Sequence, residues 1–243
     1  GETASPEALE AYRIEHGLKD PLLVQYGNYL LGMLHGDLGT YGVGTGNRVS
    51  DLIGTALPIT MQLTFLGLLF AILISFPLGV LAALYRDSWP DQLIRVFSVI
   101  AIGTPSFWLA ALLVMTFVQM LPVSGALPHF SDDPIGWFLR MLLPSIALAV
   151  PVVGQMTRVV RTSMVEELDR DYVRTALGAG IPKWIVVARN VLRNALITPV
   201  TVLGLRIGYL MGGAVVIEII FSIDGMGKAV LLKGIQQNWV TLV

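Results

Sequence analysis

Residues 52–85 contain no Asp, Glu, Lys or Arg, and neither do residues 96–131. A hydrocarbon core of roughly 30 Å is crossed by about 20 helical residues, so each run is long enough to span it. A charge near the bilayer centre costs at least a few kcal/mol, which is why lipid selects runs this clean. Only 14% of the 243 residues are charged, against about 25% in an ordinary soluble domain. The chain therefore reads as an integral membrane protein with several membrane-crossing helices.

The hydrophobic pattern predicts membrane segments at 56–85, 93–121, 141–156 and 195–221, with the start of another at 239–243. Pro144 and Pro151 lie within the third; membrane helices tolerate proline where neighbours or water satisfy the freed carbonyls. Residues 1–55 are polar enough for water and hold two expected short helices, 6–16 and 21–35. Ser5-Pro6 and Asp20-Pro21 open them, and Gly17 and Gly36 close them. A Gly-rich turn is expected at 40–46. The chain opens on Gly1 with no basic, then apolar, leader, so further sequence is expected upstream.

Orientation follows from the distribution of Lys and Arg. The 157–194 loop carries Arg158, Arg161, Arg170, Arg174, Lys183, Arg189 and Arg193, and the 86–95 turn carries Arg86 and Arg95. The 122–139 turn has none, and the N-terminal region sets seven acidic residues against Arg13, Lys19 and Arg48. The expectation is that 86–95 and 157–194 face the cytoplasm, with 1–55 and 122–139 outside.

The 157–194 loop is punctuated like a folded unit. Asp171 can cap a helix of residues 172–179, Gly180 can end it in a left-handed conformation, and Pro182 can start a second helix. Tyr172, Val173, Ala176, Leu177, Ile181 and Trp184 then form an apolar knob. Two readings fit: an amphipathic helix on the lipid headgroups, or a knob docked in a groove of a soluble partner.

The stretch Asp171-Tyr172-Val173-Arg174-Thr175-Ala176, then Gly180, then Arg193-Asn194-Ala195-Leu196, resembles the cytoplasmic EAA loop of bacterial ABC importer permeases. It is most similar to the B-type permeases of the dipeptide, oligopeptide and nickel uptake family. Gly36-Asp37-Leu38-Gly39-Thr40, Pro105-Ser106-Phe107-Trp108, and Gly212-Gly213-Ala214-Val215-Val216-Ile217-Glu218 with Phe221 and Gly225-Met226-Gly227 also resemble segments of that family. The pattern is departed from at Ala179, where a lysine is frequent, at Arg206, where a glutamine is common, and at Pro199, which is shifted.

The resemblance implies an all-α, polytopic helix bundle: an extracytoplasmic helical region at 1–55, and a permease domain at 56–243 whose first and last family helices are missing or cut. It implies a bacterial inner-membrane subunit forming half of a path for peptides or a related small solute. The implied partners are a second homologous permease, two cytoplasmic ATPase subunits and an extracytoplasmic solute-binding protein. ATP and Mg would be bound by the ATPases, with no cofactor and no catalysis on this chain. Carried over, the ATPase-coupling residues are Asp171, Tyr172, Val173, Arg174, Thr175, Ala176, Gly180, Ile181, Pro182 and Lys183.

Two charges fall in the fourth apolar segment. Arg206 is expected to face the protein interior or a water cavity. Glu218 is either a path-lining residue or a carboxylate hydrogen-bonded to a neighbouring helix. Twelve residues apart, about 18 Å along a helix, they do not pair.

A secondary transporter or channel needs ion-coupling carboxylates or inverted repeats, and neither is evident. An intramembrane enzyme needs a nucleophile and base or a metal set, which is not found. Gly227-Lys228 has Ser222 where a P-loop requires glycine. With no cysteine and only His16, His35 and His129, scattered, no metal site is expected. The glycines at 42, 44 and 46 read as a turn, and Gly212-Gly213 as a close helix packing point.

Overall fold

The computed structural model describes residues 10, 19–41, 47–123 and 125–229. The expected helix at 6–16, the tip of the Gly-rich turn at 42–46, His16 and the segment at 239–243 lie outside the described residues. Helix α1 (Leu22–Leu34) follows Pro21 and buries none of its side chains. It ends at Gly36, where φ is +80° and the Asp37 amide donates to the Gly32 carbonyl. Strands β1 (Thr40–Tyr41) and β2 (Asn47–Arg48) pair antiparallel across the Gly-rich stretch.

The bundle is made of α2 (Val49–Leu84), α3 (Trp89–Gly103), α4 (Ser106–Phe117), α5 (Pro134–Leu168) and α9 (Ile197–Ile220). Among the described residues, α2, α5 and α9 are long and apolar enough to cross a membrane. Helix α5 is the axis, packed against α2, α3, α4 and α9. Its Leu148, Val152 and Met156 are buried with Leu63 and Ala71 of α2 and Leu210, Ala214 and Ile217 of α9. Near the other end, Val160 and Met164 join Ala83 of α2 and the loop beyond α5.

Three expected boundaries are corrected. The 93–121 segment is not one straight helix: α3 and α4 meet at 96°. Pro105 disfavours helical backbone at the residue before it, and Thr104 accordingly has ψ 113°. The 141–156 segment is the middle of a 35-residue helix. Asp133 caps α5 by accepting from the Gly136 amide at 2.9 Å, with Pro134 at the first position, and polar residues continue it well past 156. The first segment begins at Val49 rather than residue 56.

Glycines set the helix crossings. A Cβ on Gly79 of α2 would lie 2.6 Å from Val160 Cβ and 2.9 Å from the Thr157 carbonyl oxygen on α5. A Cβ on Gly154 of α5 would lie 2.7 Å from the Ser98 carbonyl oxygen on α3. Of the expected packing pair, Gly213 approaches Leu148, and Gly212 has open space around it.

Candidate functional site

Beyond α5 the chain folds as the punctuation of its sequence directs. Helix α6 (Asp171–Gly178) is followed by α7 (Lys183–Val186), a π-helical turn at Val187–Val191, and α8 (Leu192–Ala195). Gly180 has φ +82°. Its amide donates to the Leu177 carbonyl at 3.0 Å, and the Ile181 amide to the Ala176 carbonyl at 3.2 Å. This pair of bonds is a Schellman ending, in which glycine supplies the left-handed residue.

Two local details differ from expectation. Asp171 is the first helical residue rather than the cap, and Arg170 precedes it in extended conformation. Its carboxylate still lies at the positive end of the helix, where acidic side chains are favoured. Pro182 stands just before α7, and its carbonyl receives the Ile185 and Val186 amides.

The unit divides into an inner and an outer face. Val173 is buried with Val160, Met164, Val186, Val191 and Ala195, so it seats α6 against the bundle instead of presenting itself outward. Tyr172 and Ala176 are partly buried beside it. The Tyr172 hydroxyl donates to Glu167 Oε2 at 2.9 Å; burial first, then that carboxylate, pushes the phenol above its usual range. Asp171, Arg174, Thr175, Gly180, Ile181, Pro182 and Lys183 are exposed. Trp184 is 72% exposed and Leu177 and Ile181 each 41%, an apolar edge standing clear of the bundle.

The 86–95 turn lies at this same end. Arg86 reaches Asp169, just beyond α5, at 2.9 Å. Asp91, fully buried at the start of α3, takes two bonds from Arg161 of α5, Nε to Oδ1 and Nη2 to Oδ2, both 2.6 Å. The Asp87 amide donates to Asp91 at 3.0 Å, and Arg95 stands 3.6 Å away. A two-pronged guanidinium–carboxylate pair fixes orientation as well as distance. Sequence reading took Arg161 and Arg95 only as topology signals and passed over Asp91, the one acid buried among these bases.

At the opposite end, Glu218 is wholly enclosed. It accepts from the Thr60 hydroxyl of α2 at 2.5 Å and from the Gly227 amide at 2.7 Å, while Thr60 Oγ1 accepts from the Met226 amide. Any Cβ on Gly225 would collide with the Glu218 carboxylate, so the Gly-Met-Gly turn closes onto this acid. Arg206 is half-buried on α9, with Nε unpartnered among the described residues. The two charges are not brought together. Arg140, in sequence only a lone basic residue after the 122–139 turn, is 2% exposed and ties the Pro122, Gly125 and Phe221 carbonyls. It thus binds the turn before α5 to the end of α9. No group of His, Asp and Glu among the described residues could hold a metal ion.

A bundle of helices long and apolar enough to cross a membrane, with a capped and exposed helix–turn–helix at one end, defines a polytopic membrane protein. The chain belongs to the family of binding-protein-dependent transport system inner membrane components, whose model matches residues 75–238. It is 38% identical to the probable D,D-dipeptide transport system permease DdpB of Escherichia coli K12, over 95% of this chain and 74% of that one. It is 36% identical to the glutathione transport system permease GsiC of Salmonella typhimurium LT2, over 94% of this chain and 72% of that one. It is therefore the permease half of an ABC importer, with ATP hydrolysis residing on separate subunits.

Proposed function

We propose that this chain forms half of the import path for short peptides and is driven through α6 and the turn after it. The carrying observation is the α6–Gly180–α7 unit. Its inner face is locked to α5 through Val173, and its outer edge offers Leu177, Ile181 and Trp184. A rigid body with an apolar outer edge fits a groove in a cytoplasmic ATPase subunit, and Arg174 and Lys183 supply charge around it. The other partners are a second, related permease and an extracytoplasmic binding protein, with ATP and Mg held by the ATPases. Peptide as the solute is supported by the relatives, named for dipeptide and glutathione transport.

In the mechanism, ATP-driven closure of the ATPases moves the docked unit. Because α6 is packed on the end of α5, and Asp91 and Arg86 tie the 86–95 turn to that same end, α3 and α5 move together. The cavity shared with the second permease then opens outward, and hydrolysis resets it. This biases two states through a differential contact, as any driven switch must. The proposed orientation puts 86–95 and 157–194 in the cytoplasm. That both lie at one end of the bundle supports it.

Gly180→Val tests the coupling. Space around Gly180 is open, so the change acts only on the backbone. A non-glycine residue in the left-handed region costs about 1–2 kcal/mol, and a β-branched one is a genuine outlier. Copurification of the ATPase subunits and ATP-driven peptide uptake are expected to fall roughly tenfold, with membrane insertion unchanged. Undiminished uptake at equal expression would sink the coupling role and leave α6 as a lipid-surface helix.

A further inference from the structure

The face of α5 that the chain leaves uncovered carries Gln155, Arg158, Thr162 and Glu166. Steps of three and four place them in one stripe, about 16 Å long. The opposite side presents Met156, Val160 and Met164, all fully buried. The stripe floors an open groove made of two adjoining hollows that share Arg158 and Thr162, one beside Ile102 and Thr198 and the other beside Arg95 and Val99. In the proposed orientation the stripe lies at the cytoplasmic end of α5, where it meets water.

The charges within the groove are not equally occupied. Arg161 and Arg95 both face Asp91. Arg158 is exposed and has no ion pair among the described residues. One turn away, Gln155 Oε1 is a buried acceptor without a hydrogen-bond partner among them. Glu166 lies eight residues beyond Arg158, about 12 Å along the helix. That separation approximates an extended peptide of three or four residues.

We infer that this groove is the inner part of the solute path, where Arg158 receives the carboxylate of a short zwitterionic peptide. Glu166 lies toward the ammonium end. The assignment rests on the permease reading above. It places solute contact on α5, apart from Arg206 and from the enclosed Glu218.

The test uses the whole transporter, with its second permease, ATPases and binding protein, in liposomes. Uptake of labelled trialanine is compared with that of its C-terminal amide. Arg158→Gln is expected to lower the maximal rate for trialanine roughly tenfold, the scale of losing a hydrogen bond to a charged group. The amide is little affected, and Arg158→Lys recovers most of the loss. An equal fall for both probes, or none for either, overturns the assignment.

A second readout uses the absence of cysteine from the sequence. Thr162→Cys is expected to react with an anionic, water-soluble methanethiosulfonate, and to react more slowly once ATP and vanadate trap the closed state. An active complex whose Thr162→Cys variant stays unmodified, or responds only to anionic lipid content, overturns this assignment alone. An unaltered complex that imports no trialanine with ATP overturns the peptide reading, and this assignment with it.

Discussion

In a denaturant titration of the detergent-solubilised protein, Asp91→Ala is expected to cost about 3–5 kcal/mol, the range for removing one partner of a buried ion pair. Asp91 is fully buried and Arg161 is 17% exposed. The substitution therefore leaves a largely buried guanidinium without its carboxylate. Arg95 adds no compensation, because it is a second cation at the same place. Replacing both members of the pair by apolar residues, Asp91→Leu with Arg161→Met, is expected to recover most of the loss, since such exchanges are often neutral or stabilising. A full loss retained in the double variant would show that the pair is not what holds α3 to α5.

The second large effect is at Gly79. In a helix interior Gly→Ala ordinarily gains up to about 1 kcal/mol. Gly54, on the same helix with open space around it, should show that ordinary behaviour. At Gly79 the added carbon meets both Val160 Cβ and the Thr157 carbonyl of α5, so the helices must separate. Gly79→Ala is expected to lower stability by about 1–3 kcal/mol, as overpacking does, and Gly79→Leu by more. Combining Gly79→Ala with Val160→Ala should return part of the loss. The remainder stays because the Thr157 oxygen belongs to backbone. Thermal unfolding of the four variants side by side decides it, and a stabilising Gly79→Ala would refute the close crossing.

Residues that act on their own backbone could be read directly from sequence. Gly180 and Gly36 permit a positive φ that other residues resist, and Pro182 fixes its own φ, so the α6–α7 turn and the end of α1 were legible in the sequence. Pro105 carried the same kind of signal for the bend between α3 and α4. It was overridden because uncharged residues run unbroken past it, and hydropathy does not register direction. The true length of α5 was missed because its polar stripe at 155–166 looks like a loop beginning. In fact it is one face of a helix whose other face is buried.

Long-range pairs were illegible for a different reason. Asp91 and Arg161 are 70 residues apart, and Glu218 and Thr60 are 158 apart. No periodicity connects such positions; only the folded chain brings them together. For Glu218 both alternatives were in view, and the geometry adds the hydrogen-bonded neighbour, Thr60.

The two prolines inside α5 give that helix a mechanical character. Pro144 and Pro151 are seven residues apart, two turns along the same side. Each removes a backbone donor and relaxes the turn before it. A rod notched twice on one side behaves as a leaf spring, yielding in the plane of the notches and resisting bending across it. The cap at one extremity and the α6–α7 unit at the other are joined by an element with a built-in bending axis.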